Sequence, residues 1–216
     1  MIRALIFDFD GLILDTETPL IDAYAEVHRR HGVAFDRGTL LRSVGHADFA
    51  FDPWHGFSPH ADRAALEHEC RAHKRELIAR LPILPGVVAL LDGARSSGLK
   101  TGVASNSEHW WVDSHLQRLG LWEKFDFVAC REDAPSPKPE PDLYRLALNQ
   151  LGGLRGPEAI AFEDSHTGSL AAKRANMWAV VAPNESTAHH DFAHADLRVG
   201  SLAEIELAAL MLRFGR

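Results

Sequence analysis

Short apolar runs recur along the chain, separated by longer stretches in which apolar residues follow a helical period. Short apolar runs bounded by turn signals are typical of strands buried on both faces of a parallel sheet. The runs predict strands at Ala4–Phe7, Lys100–Ala104, Phe125–Ala129, Ala159–Phe162 and Trp178–Val181. Helices are predicted between them at Val87–Ser97, His109–Leu119, Asp142–Leu151 and Ser165–Ala175. This alternation indicates an α/β fold with a doubly wound parallel sheet.

One long interval, residues 15–83, interrupts the alternation because it carries helix signals but no convincing strand. Thr18 as a cap, with proline following at the first helical position, predicts a helix that runs to about His31. Asp36 can cap a second helix that ends at Gly45, and a third helix is predicted over Pro59–Arg80. We therefore expect a helical cap, residues 15–83, inserted into an α/β core made of residues 1–14 and 84–216.

Composition and charge are ordinary for a globular enzyme, with 46% apolar and 25% charged residues among 216. The net charge of −7 argues against a nucleic-acid partner, because a phosphate backbone attracts basic surfaces. Cys70 and Cys130 form no CxxC pair, so we expect neither a disulfide framework nor a zinc site, and a reducing cytoplasm is the expected location. We also expect no signal peptide and no membrane-spanning segment.

Polar side chains of catalytic type follow four of the predicted strands. In a parallel open sheet with right-handed crossovers, all strands end at one edge, and ligands bind there. The residues expected to converge at this edge are Asp8 and Asp10, Ser105 and Asn106, Lys138, and Glu163 and Asp164. Each alone has an ordinary explanation, such as capping the next helix, but their convergence predicts an active site.

Carboxylates at this density repel one another unless a cation neutralises them. Oxygen ligands without a matching histidine or cysteine cluster favour Mg²⁺ over zinc. Lys138 supplies a second positive charge for a phosphate dianion, to which Ser105 and the Asn106 backbone N–H can donate hydrogen bonds. Of Asp8 and Asp10, one can attack phosphorus while the other protonates the leaving alkoxide. The pattern predicts magnesium-dependent phosphoryl transfer through a phosphorylated aspartate.

Four segments resemble the sequence motifs of the haloacid dehalogenase superfamily. Asp8–Glu17, which reads DFDGLILDTE, is similar to the first motif nearly residue for residue. The other three are Val103–Ser107, Lys138–Asp142 and Phe162–Gly168, and Leu84–Val87 is similar to the join where a helical cap returns to the core. The resemblance covers essentially the whole chain. It points to the β-phosphoglucomutase-like subgroup, which has a Rossmann-like core and a small helical cap and includes many sugar-phosphate phosphatases.

The resemblance implies a role for each matched residue. Asp8 would be the nucleophile and Asp10 the general acid/base of a phosphatase that acts on a small phosphorylated metabolite such as a sugar phosphate. The metal ligands would be Asp8, the Asp10 backbone carbonyl, Glu163 and Asp164, and the phosphoryl group would be held by Ser105, Asn106 and Lys138. Thr16, at the hinge into the cap, would face the substrate.

Related activities remain as alternatives. Dehalogenases of the superfamily lack the second aspartate, so Asp10 argues against dehalogenation. Phosphonate hydrolases need a cap lysine, whereas Lys74 is expected on an ordinary solvated helix face. A mutase of the β-phosphoglucomutase type uses a cap arginine, which Val44–Phe49 lacks, and a histidine where this chain has Leu20. Hydrolysis is favoured, the mutase is the alternative, and a non-catalytic member that binds a phosphorylated ligand or a protein is a further one.

Substrate choice is expected to lie in the cap, because it covers the leaving group. The loop Gly45–Trp54 and the inner face of the helix Pro19–His31 should set specificity. Trp54, Trp110 and Trp111 can stack on a sugar or a base, although tryptophans near helices more often pack in a core. The sequence leaves the particular substrate and the oligomeric state open.

Overall fold

A single parallel sheet forms the centre of the computed structural model, which describes residues 1–43 and 52–215. Its strands are β1 (Ala4–Phe7), β2 (Lys100–Ala104), β3 (Phe127–Ala129), β4 (Ala159–Glu163), β5 (Trp178–Val181) and β6 (Leu197–Arg198). They lie in the order β3-β2-β1-β4-β5-β6, and every neighbouring pair is parallel. The order reverses at β1, which places the ends of β1, β2 and β4 side by side.

Helices cover both faces of this sheet, which confirms the predicted α/β class and the doubly wound sheet. The described residues form α1 (Thr18–Arg30), α2 (Arg37–Ser43), α3 (Arg63–Ala79), α4 (Val87–Ser96), α5 (His109–Arg118), α6 (Asp142–Gln150), α7 (His166–Arg174) and α8 (Leu207–Phe214). Helices α4, α5 and α8 contribute to the core on one face, and α6 and α7 to the core on the other. None of the helices in the described ranges is long and apolar enough to cross a membrane.

The two faces of the sheet carry side chains of different size, because successive strand residues point to opposite sides. Phe7 and Phe162 stack on one face with ring centroids 4.9 Å apart. The opposite face carries small side chains, among them Ala104 and Ala161. Small residues let α6 lie close to the sheet, so that Tyr144 of α6 is fully buried and reaches the end of β4.

The segment between β1 and α4 holds α1, α2 and α3 and, in its described part, no strand of the sheet; we refer to it as the helical insertion. Helices α1 and α3 pack together, and Trp54 is buried among them with its ring 5.2 Å from that of Tyr24. Trp54 is therefore a packing residue of the insertion. The chain leaves the core after Ile13 and returns at Leu84, whose N–H donates to the Ile13 carbonyl at 2.9 Å.

Element ends differ from the predicted ones where a side chain takes over a backbone hydrogen bond. Thr18 is the first residue of α1 rather than its cap, because the Asp15 carboxylate accepts the Thr18 N–H at 3.0 Å. Helix α3 begins at Arg63, since the Asp62 carboxylate accepts a backbone N–H of its first turn. Strand β3 starts at Phe127, two residues later than predicted.

Two further elements, β6 and α8, lie beyond the last predicted strand. Strand β6 has only two residues, too few for an alternating pattern. Helix α8 covers the edge of the core, where Phe214 stacks on Trp178 with centroids 4.8 Å apart. The predicted end of the second helix at Gly45, the segment Val44–Phe49 and most of the loop Gly45–Trp54 lie outside the described residues.

Candidate active site

The residues predicted to converge at the carboxyl edge of the sheet do lie together there. A cleft of about 660 Å³ opens between this edge and the helical insertion. Its lining includes Asp8, Asp10, Thr16, Ser105, Asn106, Lys138 and Asp164. Glu163 lies behind the lining and has no solvent exposure. The site is therefore assembled from side chains that follow β1, β2, β3 and β4.

Lys138 is the central cation of the site. Its buried ammonium donates to Asp8 Oδ1 and to Glu163 Oε1, both at 2.6 Å. The loop that carries it is held by Asn106, whose Oδ1 accepts the Lys138 N–H at 2.8 Å while its Nδ2 donates to the Lys138 carbonyl at 3.2 Å. The Asn106 side chain thus orients the lysine loop. Ser105 is also buried, and its Oγ accepts the Ser107 N–H at 3.0 Å.

Glu163 is held by more donors than Lys138 alone. The Tyr144 hydroxyl donates to Oε1 at 2.5 Å, and the Ser165 hydroxyl donates to Oε2 at 3.3 Å. Because Tyr144 is buried beside Glu163 and Asp8, burial and those charges hold the pKa of its hydroxyl well above its usual range. Glu163 is thus a buried carboxylate with three donors around it.

Three carboxylates form a compact cluster at the ends of β1 and β4. Asp8, Glu163 and Asp164 each offer a carboxylate oxygen, and these atoms lie within 4.8 Å of one another. Burial raises the pKa of Asp8 to about 8, with Lys138 opposing the rise and Glu163 adding to it. Burial and the charges of Asp8 and Glu163 hold the pKa of Asp164 well above its usual value. One ammonium does not balance this cluster, and buried carboxylate oxygens suit a hard divalent cation such as Mg²⁺.

Asn184 and Gly11 pack closely against Asp164, the third carboxylate of the cluster. Asn184 Nδ2 donates to Asp164 Oδ2 at 2.8 Å and to the Gly11 carbonyl at 3.3 Å. Gly11 has a φ of +78°, and a Cβ on it would overlap the Asp164 carboxylate. The glycine that follows Asp10 is therefore required both by its backbone conformation and by this close approach.

Asp10 has different partners from Asp8. The Ser107 hydroxyl donates to Asp10 Oδ2 at 2.6 Å, and the Trp111 indole N–H donates to Oδ1 at 2.9 Å. Asp8 is paired with a buried ammonium, whereas Asp10 is held by two neutral donors at the wall of the cleft. The two aspartates are thus held differently, as two different chemical roles require.

The mouth of the cleft combines aromatic and charged side chains. Lys74 of α3 lines it, with its ammonium 5.7 Å from the centroid of the Trp111 ring, so the expectation that Lys74 lies on an ordinary solvated face is wrong. Glu17 also lines the cleft, and burial together with the charge of Asp10 raises its pKa. Trp110 is largely exposed beside them. Of the three tryptophans considered, Trp110 and Trp111 line the cleft.

Sequence reasoning missed several side chains of the site. Asn184 follows β5, so extending the strand-end argument to that strand would have found it. Ser107 lies inside the segment recognised after β2, where its contact with Asp10 was not expected. Tyr144 carries no signal in the sequence, because its role depends on how closely α6 approaches the sheet.

The fold and the site define a doubly wound α/β protein with a carboxylate–lysine centre and a helical insertion over it. The model of the family described as haloacid dehalogenase-like hydrolase matches residues 5–182, most of the chain. The chain belongs to this family of hydrolases, and its relatives include proteins named as phosphatases.

Similar proteins match nearly the whole length of the chain. YhcW of Bacillus subtilis is 40% identical over 98% of this chain and 97% of its own length. Hexitol phosphatase B of Escherichia coli is 31% identical over 97% of both chains. A crystal structure of a CbbY variant from Rhodobacter sphaeroides in complex with xylulose 1,5-bisphosphate superposes with a TM-score of 0.72, at 29% identity over 97% of this chain and 99% of that one.

Proposed function

We propose that this protein is a magnesium-dependent phosphatase that hydrolyses a phosphomonoester of a small sugar or polyol through an aspartyl-phosphate intermediate. The observation that carries the proposal is the buried cluster of Asp8, Glu163 and Asp164 around Lys138, with Asp10 held separately at the cleft wall. A nucleophile, a charge partner and a separate proton carrier are what phosphomonoester hydrolysis needs.

The size and lining of the cleft support a small substrate. A volume of about 660 Å³ lies within the range of small-molecule sites. Aromatic rings at Trp110 and Trp111 offer surfaces for the apolar face of a sugar, and the carboxylate of Glu17 can accept hydrogen bonds from hydroxyl groups. Relatives that are named for a hexitol phosphate activity, or bind a sugar bisphosphate, support the same class. The proposed partner is a small metabolite, not a nucleic acid or a membrane.

The residues present fit a magnesium ion. Asp8, Asp164 and Glu163 offer buried carboxylate oxygens close enough to share one ion, and the Asp10 backbone carbonyl is the further proposed ligand. When bound, Mg²⁺ would neutralise the carboxylates and stabilise the charge on the phosphoryl oxygens. Lys138, Ser105 and the backbone N–H of Asn106 are the proposed contacts to the remaining phosphoryl oxygens.

The side chains of the chain then carry out two displacements. A carboxylate oxygen of Asp8 attacks phosphorus, and the bond from phosphorus to the ester oxygen breaks. Asp10 gives its proton to that ester oxygen, so the leaving group departs as an alcohol. In the second displacement Asp10 takes a proton from a water molecule, which attacks the phosphorus of the Asp8 phosphate and releases inorganic phosphate. Asp8 and Asp10 return to their starting protonation states.

The test is a panel of sugar and polyol phosphates, assayed for released phosphate with Mg²⁺ and with a chelator. We expect turnover of some esters only with Mg²⁺, and a loss of more than about 10³-fold in Asp8→Asn, because the nucleophile is removed. Asp92→Asn is the matched control, since Asp92 is an exposed partner of Lys124 far from the cleft. Metal-independent turnover, or full activity of Asp8→Asn, contradicts the proposal.

Two other outcomes of the same panel identify the alternatives. Formation of glucose 6-phosphate from the 1-phosphate without phosphate release identifies a mutase. Binding of phosphorylated ligands without turnover of any ester identifies a non-catalytic member. Retention of both Asp8 and Asp10 in hydrogen-bonded positions supports the hydrolase over the non-catalytic reading.

A further inference from the structure

Both carboxylate oxygens of Asp10 are held, and each by a different donor. The Trp111 indole N–H donates to Oδ1 at 2.9 Å and the Ser107 hydroxyl to Oδ2 at 2.6 Å. A hydroxyl can rotate away from its acceptor, whereas an indole N–H points wherever its ring is packed. The orientation of the Asp10 carboxylate therefore depends on the placement of the Trp111 ring.

The Trp111 ring is held from several sides. It meets the His115 ring edge to face, with centroids 4.4 Å apart, and the Trp110 ring at 5.7 Å. The Lys74 ammonium of the helical insertion lies 5.7 Å from its centroid. Trp111 and His115 are one helical turn apart on α5, so the helix itself sets their contact. These contacts leave the indole little freedom to turn away from Asp10.

The kind of donor also distinguishes the two aspartates. Asp8 is paired with the Lys138 ammonium, which suits a carboxylate that must be ionised when it attacks phosphorus. A proton carrier has to exist both with and without its proton, and a neutral donor can serve a carboxylate in both states. An indole N–H only donates and does not ionise near neutral pH, so it orients Asp10 without competing for the proton that Asp10 transfers.

We propose that Trp111 is a positioning residue for Asp10, which it aims at the ester oxygen of the substrate by the indole hydrogen bond. The inference rests on the proposed function, in which Asp10 protonates the leaving group. Trp111 acts only through Asp10 in this role. Its loss therefore weakens proton delivery to the leaving group rather than the attack of Asp8 on phosphorus.

The test compares two esters that differ in their need for a proton. An alkyl phosphate from the active panel has a poor leaving group that must be protonated, whereas p-nitrophenyl phosphate releases a stabilised anion. Trp111→Phe keeps a ring against His115 but removes the N–H. We expect kcat/KM for the alkyl ester to fall by about 10- to 100-fold, the usual effect of losing a hydrogen bond to a charged group, and that for the aryl ester by less than about threefold.

The matched control is Trp178→Phe. Trp178 donates its indole N–H to the Pro157 carbonyl at 3.3 Å and stacks on Phe214, remote from the cleft. The variant undergoes the same chemical change, and we expect the ratio of the two kcat/KM values to stay as in the wild type. Equal losses for the two esters in Trp111→Phe, or no loss for either, overturn the inference.

A measurement that does not require the Trp111 variant to fold tests the hydrogen bond directly. The chain has five tryptophans, whose indole N–H resonances can be assigned in an amide NMR spectrum. We expect Asp10→Ala to move the Trp111 indole resonance upfield and to leave that of Trp178 in place. An unmoved Trp111 resonance overturns the inference. If the wild type cleaves neither ester, the proposed function fails, and the resonance still decides whether Trp111 holds Asp10.

Discussion

The carboxylate of Glu163 lies directly against the α-carbon of Gly168, so a Cβ on that glycine would overlap both carboxylate oxygens. Gly168 is in the first turn of α7, whose cap residue Ser165 accepts the Gly168 N–H at 3.1 Å and donates its hydroxyl to Glu163. The first turn of α7 therefore packs directly against the buried end of β4. Only glycine at this position lets the helix begin so close to the carboxylate cluster.

A Gly168→Ala variant tests this contact. The added methyl must displace a buried carboxylate held by Lys138, Tyr144 and Ser165, so we expect a loss of about 1–3 kcal/mol in unfolding free energy and of most phosphatase activity. Urea unfolding and phosphate release measure the two effects.

Gly93→Ala is the control for this substitution, because Gly93 is also helical. Its new methyl would meet only the flexible end of Leu207 at 3.0 Å, which can move. We expect that variant to keep its activity and to change stability by no more than about 1 kcal/mol in either direction. Equal behaviour of the two variants would contradict the packing argument.

Removal of the buried Lys138 ammonium should lower the unfolding free energy by more than the Gly168→Ala substitution does. Lys138→Met leaves the buried Asp8 and Glu163 carboxylates without their partner, and we expect it to lower the unfolding free energy by about 3–5 kcal/mol in a chelator. Lys100→Met removes a half-exposed ion pair with Asp126 and should cost no more than about 1 kcal/mol. Guanidinium unfolding distinguishes the two. Similar losses would mean that Lys138 is not the cation that balances the cluster.

The pH dependence of metal binding follows from the buried carboxylates. In the metal-free protein burial raises the pKa of Asp8 to about 8, so the folded state keeps a proton that the unfolded chain loses near pH 4. The contribution of Asp8 to stability therefore decreases as the pH rises from about 4 to about 8. Mg²⁺ binds the ionised form, so the Tm increase on adding saturating Mg²⁺ should be larger at pH 8 than at pH 6.

Thermal unfolding at the two pH values, with Mg²⁺ and with a chelator, measures this difference. Asp8→Asn removes the titrating group and should abolish the difference in the Tm increase between the two pH values, whereas Asp92→Asn should leave that difference unchanged. An equal increase in Tm at both pH values in the wild type would show that the cluster does not release protons when the metal binds.

A second titrating group lies at the start of α5. Burial lowers the pKa of His109, but its hydrogen bonds to Asp133 at 2.7 Å and Asp113 at 3.1 Å outweigh burial and raise it above its ordinary value of 6.5. The stability from this ion-pair network is full below the unfolded pKa and is lost as the pH rises through the folded pKa. NMR titration should show the raised pKa, and Asp133→Asn should lower it. An unchanged titration in that variant would contradict the role of Asp133.

Much of the site could be predicted because the strands are parallel. Residues that follow different strands, although far apart in the sequence, then lie together at the carboxyl edge of the sheet. Asp8 and Lys138 are 130 residues apart and still meet at 2.6 Å, since the strands that they follow, β1 and β3, end at the same edge of one parallel sheet. The bond between Trp111 and Asp10 could not be predicted, because it depends on the angle at which α5 meets the sheet. The placement of Lys74 could not be predicted either. The sequence pattern of α3 shows which face of the helix is apolar, but it does not show that the face with Lys74 lines the cleft.

The hydrogen bond between Leu84 and Ile13 has a consequence for how such proteins diversify. The helical insertion departs and rejoins the core at this one point, and a few of its side chains, among them Leu14 and Ile78, pack in the core against the sheet. We expect that a relative's segment, exchanged between these two residues, would give a folded chimera with this protein's chemistry and the donor's choice of leaving group. Such a junction lets selectivity be inherited separately from catalysis.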